Sequence, residues 1–224
     1  MRKSFAAPGT DVFLFSYFPD SVRRVIRLQL ATRNAHKTRE FVEMLGADFA
    51  LQDLTGHPEI GDVVEDGLTF AENALRKALA VSRQLLGLVL ADDSGLEVDS
   101  LGGAPGVFSA RYAGAGASDE ANRRKLLQEM AALGPDAART AHFSCVLVLA
   151  RAGEVLAISE GTVAGEIARQ ACGSGGFGYD PLFLPNEFSK TFAELPTATK
   201  NSISHRGRAV TQMKQFLRAA SLRP

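Results

Sequence analysis

The run "LGLVLADDSGLEVDSLGG", Leu86 to Gly103, places two adjacent aspartates, Asp92 and Asp93, directly after a nearly unbroken apolar stretch. Neighbouring carboxylates repel, and burial raises their pKa unless a cation or hydrogen-bond donors compensate. Mg²⁺ is one such cation. It prefers oxygen ligands, keeps several waters and works on substrate phosphates through one or two carboxylates, a role open to Asp92, Asp93 and one further acid. Asp, Ser and Gly are also common turn formers, so "DDSG" by itself equally describes one capping aspartate and one solvated one. Its position after an apolar strand favours chemistry, because ligand sites in α/β sheets lie where strands leave the core.

Three further segments carry polar groups in suggestive order. In "ATRNAHK", Thr32 and Asn34 end a strand and Lys37 falls in the first turn of a helix, whose free N–H groups attract anions. A simple N-cap at Asn34 explains the same residues, and the phosphate loop G-x-x-x-x-G-K-[ST] is absent. "CGSGGFGYDPLF" formally contains G-x-G-x-x-G, but Tyr179-Asp180-Pro181 follows where a Rossmann helix should begin. Its glycines suit close backbone approach to a ligand, with Phe177 free to lie against a flat group such as a purine; a tight turn with Phe177 and Tyr179 in the core is the plainer alternative. "KNSISHRGRA" gathers Lys200, His205 and Arg206 at a helix start, donors for phosphate oxygens or a base carbonyl, or merely a solvated basic face.

Alternating strand and helix signals must position these groups. "RVIRLQLAT" reads as a strand and "NAHKTREFVEMLG" as a helix with Phe41, Val42 and Leu45 on its apolar side. "TFAENALRKALAVSRQLLG" reads as a helix opened by Thr69 and Glu72 in capping-box spacing and stopped at Gly87. The strand "LVLAD" follows, with Asp92 and Asp93 expected at its exit. "SDEANRRKLLQEMAALG" is a helix capped by Ser118, and "TAHFSCVLVLARAGEVLAISEGTVAGEI" two long strands about an Ala152-Gly153 turn. "SHRGRAVTQMKQFLRAA" closes the chain as a helix burying Ala209, Met213, Phe216 and Leu217. The pattern predicts an α/β fold with an elongated mixed β-sheet flanked by helices, in two lobes around a central cleft.

Composition limits the partners. The 224 residues carry 25 Lys+Arg against 25 Asp+Glu, so no global field favours nucleic acid, and 46% hydrophobic content supports a real core. Cys145 and Cys172 form no C-x-x-C pair, which suits a reducing cytoplasm. The apolar burst Val12 to Phe18, interrupted by Ser16 and closed by Pro19, is too short to span a bilayer. Residues 1 to 24 are therefore expected to be a poorly ordered extension, and residues 25 to 224 the functional domain.

Taken together, "ATRNAHK", "EDGLTFAENALRKA", "ADDSGLEVDSLGGAPGVFSARYAG", "GSGGFGYDPLF", "KTFAEL" and "SISHRGRA" resemble the motifs, in order, of the inosine/xanthosine triphosphate pyrophosphatases. These house-cleaning enzymes hydrolyse deaminated purine nucleoside triphosphates. The resemblance runs from about Leu28 to the C-terminal helix. It implies a purine nucleoside triphosphate as substrate, Mg²⁺ as cofactor and a homodimer, with no nucleic acid or membrane partner. It also implies roles. Asp93 is expected to activate the attacking water and touch the metal. The stretch Thr32, Arg33, Asn34, Ala35, His36 and Lys37 is expected to bind the triphosphate. Ser94 is expected to contact substrate, and Phe177, Gly178, Tyr179 and Asp180 to form the base loop. Lys200, His205 and Arg206 would add base and phosphate contacts.

Two positions depart from the family pattern. Glycine is frequent where Arg33 stands, so the turn is expected either to be stiffer or to gain a phosphate contact. The family often has a pair of acids before the glycine matching Gly67; here Val64 takes the first place, which leaves Glu65 or Glu72 as the second metal ligand. Rival readings are a pyrophosphatase for pyrimidine or modified nucleotides, a non-catalytic nucleotide sensor and, least supported by the charge balance, an RNA-binding module.

Overall fold

Within the computed structural model, which describes residues 25 to 220, the strand does not end with the apolar run. Strand β3 (Leu88–Val98) continues straight through them. What ends is its neighbour. Strand β1 (Ile26–Leu30) runs parallel to β3 only from Leu28 opposite Leu88 to Leu30 opposite Leu90, whereas the antiparallel strand β4 (Thr140–Arg151) accompanies β3 from Val89 to Val98. The expected exit from the core is therefore a gap beside β3, left where β1 turns into helix α1 (Ala35–Leu45).

One mixed sheet contains six strands in the order β2-β1-β3-β4-β5-β6. Strand β2 (Phe49–Asp53) pairs with β1 in parallel, and β5 (Glu154–Ile167) and β6 (Phe183–Pro185) extend the antiparallel half. The long hairpin of β4 and β5 turns on Ala152 and Gly153, at φ 52° and 80°. Paired positive φ values match the twist of the flanking strands, which is why such turns favour tight hairpins.

Alternation along β3 sorts the core into two faces. Leu88 and Leu90 pack with Phe41 and Leu45 of α1 and with Ala209, Val210 and Met213 of the final helix α5 (His205–Ala219). Val89 and Ala91 face the other way, onto Ala74, Ala78 and Val81 of helix α2 (Phe70–Ser82). A third cluster, including Leu96, Val98, Phe143, Phe183 and Phe192, fills the antiparallel half beneath helix α3 (Asp119–Ala132), which contributes Leu126 and Met130. A short helix α4 (Thr197–Ile203) leads into α5.

Several sequence-based boundaries shift. Helix α2 ends at Ser82 rather than Gly87, and Leu86 is almost fully exposed because the chain has already left the helix. On α1 the buried face holds Glu40, Phe41 and Leu45, while Val42 is exposed. The periodic pattern located the stripe but turned it by one residue. Thr69 does cap α2, accepting from Glu72 N at 3.1 Å, and Ser118 caps α3, accepting from Ala121 N at 3.2 Å. The expectation for residues 1 to 24 lies outside the described residues.

Candidate active site

A cleft of about 820 Å³ opens beyond the carboxyl end of β1, within the size range of small-molecule sites. One wall is the turn from Thr32 to Lys37 and helix α2; the other is the loop around Phe177 to Asp180 and the start of α5. The question posed by Asp92 and Asp93 has a geometric answer. Consecutive strand residues point to opposite faces, so the two carboxylates do not share a site.

Asp92 belongs to the α1/α5 face and is sealed from solvent. Lys37 Nζ donates to its Oδ1 at 3.0 Å, Arg206 Nε to its Oδ2 at 3.0 Å, and Ser94 Oγ to its Oδ1 at 2.9 Å. Burial opposes its charge, but Lys37, Arg206 and Lys77 together hold its pKa well below the carboxylate range. It neither shapes a turn nor reaches the cleft, contrary to the sequence-based expectation. It anchors the two cations.

Asp93 belongs to the α2 face and lines the cleft. Lys77 Nζ donates to its Oδ1 at 3.0 Å and to Glu65 Oε2 at 2.9 Å. The other oxygen, Asp93 Oδ2, is buried and has no hydrogen-bond partner among the described residues. Burial, opposed by Lys77 and Lys37, leaves the Asp93 pKa above its ordinary value, and Glu65 adds to the rise. Lys77, which the sequence reading did not select, lies on the apolar stripe of α2 with Ala74, Ala78 and Val81, and that placement was its available signal.

Of the two acids considered beside Asp93, only Glu65 reaches it. Its carbonyl oxygen accepts from Arg111 at 3.0 Å, which fixes the backbone, and its carboxylate shares Lys77. Glu72 is committed to the helix start, where its Oε2 accepts from Leu68 N at 2.7 Å.

At the turn, Asn34 Oδ1 accepts from His36 N at 2.9 Å and Lys37 N at 3.2 Å, and Thr32 Oγ1 accepts from Asn34 N at 3.1 Å. Asn34 is thus an N-cap whose helix also aims Lys37 into the cleft. Arg33 lines the cleft, yet its guanidinium bonds Asp62 at 2.9 Å and the carbonyls of His57 and Ile60. It ties the turn to the segment that leads to Glu65, the stiffening alternative.

Across the cleft, Lys200 Nζ donates to Glu40 at 2.6 Å and to Asp180, and Arg206 donates to Glu40 at 2.6 Å and to Ser94 Oγ at 2.7 Å. Glu40 was not selected from the sequence, although it adjoins Phe41 on the buried side of α1. Burial opposes its ionisation, but Arg206 and Lys200 hold its pKa below the ordinary value. Burial, only partly offset by Lys200, leaves Asp180 above its ordinary value, and its Oδ2 also accepts from Phe177 N at 2.9 Å. Gly176 (φ 67°) makes that closure possible, since a Cβ there would collide with the Asp180 carboxylate. Tyr179 is buried and donates to Ser109 O at 3.0 Å, so it supports the loop from below. Gly178 is held between Asp119 and Arg123, at 2.6 Å each. His205 stacks on Phe143 at 4.7 Å; burial and the flanking Arg206 and Lys200 push its pKa well below the histidine range, and its Nδ1 has no partner. Ala35 opens α1 beside the cap, and the structure gives its side chain no polar contact to offer.

The cleft is lined by Arg33, Lys37, Lys77, Arg111, Lys200 and Arg206 and by Asp62, Glu65, Asp93, Asp119 and Asp180, six cations against five carboxylates. Such a balance does not by itself attract a polyanion, whereas the unpartnered Asp93 Oδ2 beside Glu65 suits a divalent cation. Among the described residues no group of three His, Cys, Asp or Glu could hold a metal ion. Two carboxylates with waters and phosphates completing the shell is the usual Mg²⁺ pattern, and the residues fit it. Both cysteines are free, and no described helix is long and apolar enough to cross a membrane.

Residues 28 to 216 match the model of the Ham1 family. A dITP/XTP pyrophosphatase of Geobacter sulfurreducens is 50% identical over 193 residues, covering 85% of this chain and 96% of that protein. One from Listeria monocytogenes is 48% identical over 193 residues, covering 85% and 94%. The solved structure of a HAM1 protein from Coxiella burnetii superposes with a TM-score of 0.78 at 40% identity, covering 87% of this chain and 99% of that one. The Ham1 protein of Staphylococcus aureus gives 0.76 at 40% identity over the same shares. With its family motifs carried by one cleft and its sheet shared with these structures, the chain belongs to the Ham1 family.

Proposed function

We propose that this protein hydrolyses non-standard purine nucleoside triphosphates, ITP, dITP and XTP, to the monophosphate and pyrophosphate. The observation that carries the reading is the half-satisfied Asp93 carboxylate, buried yet lining the same cleft as the capped first turn of α1. The close relatives bearing the dITP/XTP pyrophosphatase name support the substrate class.

In this proposal Asp93 and Glu65 would hold a divalent cation, Mg²⁺, which when bound would supply positive charge against the triphosphate. Lys37 and the N-terminal turn of α1 receive the phosphates. Asp93, whose raised pKa brings it nearer neutrality, orients the attacking water and accepts its proton. Lys77 opposes the rise at Asp93 and ties its carboxylate to that of Glu65. The bond from the α-phosphorus to the bridging oxygen breaks, and pyrophosphate leaves.

For the base, Phe177 offers a flat surface and Lys200 a donor. An ammonium has three N–H bonds, and Glu40 and Asp180 occupy two, leaving one for the six-position carbonyl of hypoxanthine or xanthine. Adenine presents an amino group there and sets donor against donor. One or two such mismatches, at about 1–3 kcal/mol each, should depress kcat/KM for ATP by roughly 10- to 10⁴-fold. A Mg²⁺ assay resolving mono-, di- and pyrophosphate tests this. Inosine monophosphate with pyrophosphate is expected; inosine diphosphate with orthophosphate, or ATP hydrolysed as fast as ITP, refutes it. A domain of residues 25 to 224, acting in the cytoplasm as a homodimer, completes the proposal.

A further inference from the structure

His36 and Phe177 come from opposite walls of the cleft, and their rings stack with centroids 5.4 Å apart and planes 19° from parallel. His36 stands in the first turn of α1, directly after the Asn34 cap. Phe177 stands in a loop whose backbone is tied down, at Phe177 N by Asp180 and at Gly178 by Asp119 and Arg123, which places its Cα but leaves the rotation of the ring to the groups packed against it. Phe177 lines the cleft, whereas His36 is exposed on the turn and is not among the lining residues, so the stack leaves His36 outside the space a substrate would fill. Lys200 Nζ and Arg206 Cζ, 5.4 and 5.6 Å from the ring centroid, are themselves fixed by Glu40 of the same α1.

We propose that His36 is a positioning residue for base recognition: it holds the Phe177 ring as a ready platform and couples that platform to the triphosphate turn. The proposal rests on the reading above that Phe177 receives the purine. Lys37, which meets the phosphates, is the next residue in the same helical turn. Seating the triphosphate therefore steadies the element that backs the base platform, and a base resting on Phe177 steadies the turn in return. A platform already oriented loses less freedom when the base arrives, which tightens binding without adding a contact to substrate.

The test uses the full chain with Mg²⁺. Aromatic pairs of this geometry correspond to roughly 2- to 10-fold in affinity. His36→Ala should raise KM for ITP by about that factor, with a smaller fall in kcat. Inhibition by inorganic tripolyphosphate, which has phosphates and no base, should keep its constant, and His36→Phe should restore the KM. In the free protein, amide exchange at Phe177 and Gly178 should be faster in His36→Ala than in wild type. Equal weakening of tripolyphosphate and ITP would overturn the proposal, as would unchanged KM with unchanged exchange. If wild-type protein releases no pyrophosphate from ITP, the substrate reading fails separately. The exchange comparison then decides alone: faster exchange supports the ring contact, and equal exchange overturns it.

Discussion

Lys77→Met removes the one ammonium that Asp93 and Glu65 share while keeping an unbranched side chain of similar length. The lysine side chain is 8% exposed and that of Asp93 10%, against 33% for Glu65. Breaking a buried ion pair from one side costs about 3–5 kcal/mol. Glu65 keeps much of its hydration and adds little. Asp93 can escape by taking a proton, which caps its share at about 4 kcal/mol at pH 7 (three pH units above an ordinary aspartate at 1.4 kcal/mol each). A net loss of about 2–3 kcal/mol is expected, or a fall in Tm of roughly 5–10 °C for a domain of this size. The sign of the pH dependence is fixed. A carboxylate whose native pKa rises far above its unfolded value loses stability as pH climbs between the two, so the deficit should shrink near pH 5 and be full at pH 8. Adding Mg²⁺ should recover more Tm in Lys77→Met than in wild type, because the carboxylates then meet the cation without a competing ammonium. Thermal denaturation at three pH values, with and without Mg²⁺, is sufficient. A Tm within 2 °C of wild type at pH 8, or a deficit independent of pH, on a scale where 1 kcal/mol moves Tm by about 2–4 °C, would refute the reasoning.

Asp93→Asn keeps the volume and removes both the metal-facing charge and the proton acceptor, so kcat should fall by roughly 10²–10⁴ with the fold intact by circular dichroism. His205, held neutral with a lowered pKa, makes the native state bind protons less readily than the unfolded chain. Stability should therefore decline by up to about 1.4 kcal/mol per pH unit below about pH 6.5, and His205→Phe should flatten that limb in urea titrations between pH 6.5 and 5. Removing residues 1 to 24 should leave Tm and ITP turnover within experimental scatter, and a change of oligomeric state on gel filtration would show that the segment belongs to the functional unit.

Local signals were legible and long-range pairings were not. The Thr69 and Ser118 caps, the Ala152-Gly153 turn and the apolar strand before Asp92 each follow from neighbours in sequence, and the fold has them. Asp92 was misjudged because its partners lie 55 and 114 residues away, and nothing near it announces them. Lys77 and Glu40 escape notice in the sequence because a charge within a helical stripe reads as solvated. Their positions beside Ala78 and Phe41 put them on the buried side, and a buried charge calls for a partner. The cleft residues at Arg33, Tyr179 and Asp180 also show that lining a site is different from having polar groups free: each is tied to other protein groups, which no spacing rule reveals.

The opposed orientation of Asp92 and Asp93 has a consequence for how the gene can change. Because side chains in a strand repeat every two residues, inserting or deleting one residue between Gly87 and Asp92 would exchange the two carboxylates between faces. An insertion would put Asp92 in the reactive position and a deletion would put Ser94 there, while Leu88 to Ala91 traded their apolar partners on α2 and α5. Substitutions in this strand can be graded in their effect, but a change of length by one cannot. The continuous pairing of Val89 to Val98 with β4 guards against the same error during folding, since a slip by one residue would misplace ten neighbours at once. Length variation within this family should accordingly collect in the turns and be absent from the segment ending in Asp92-Asp93.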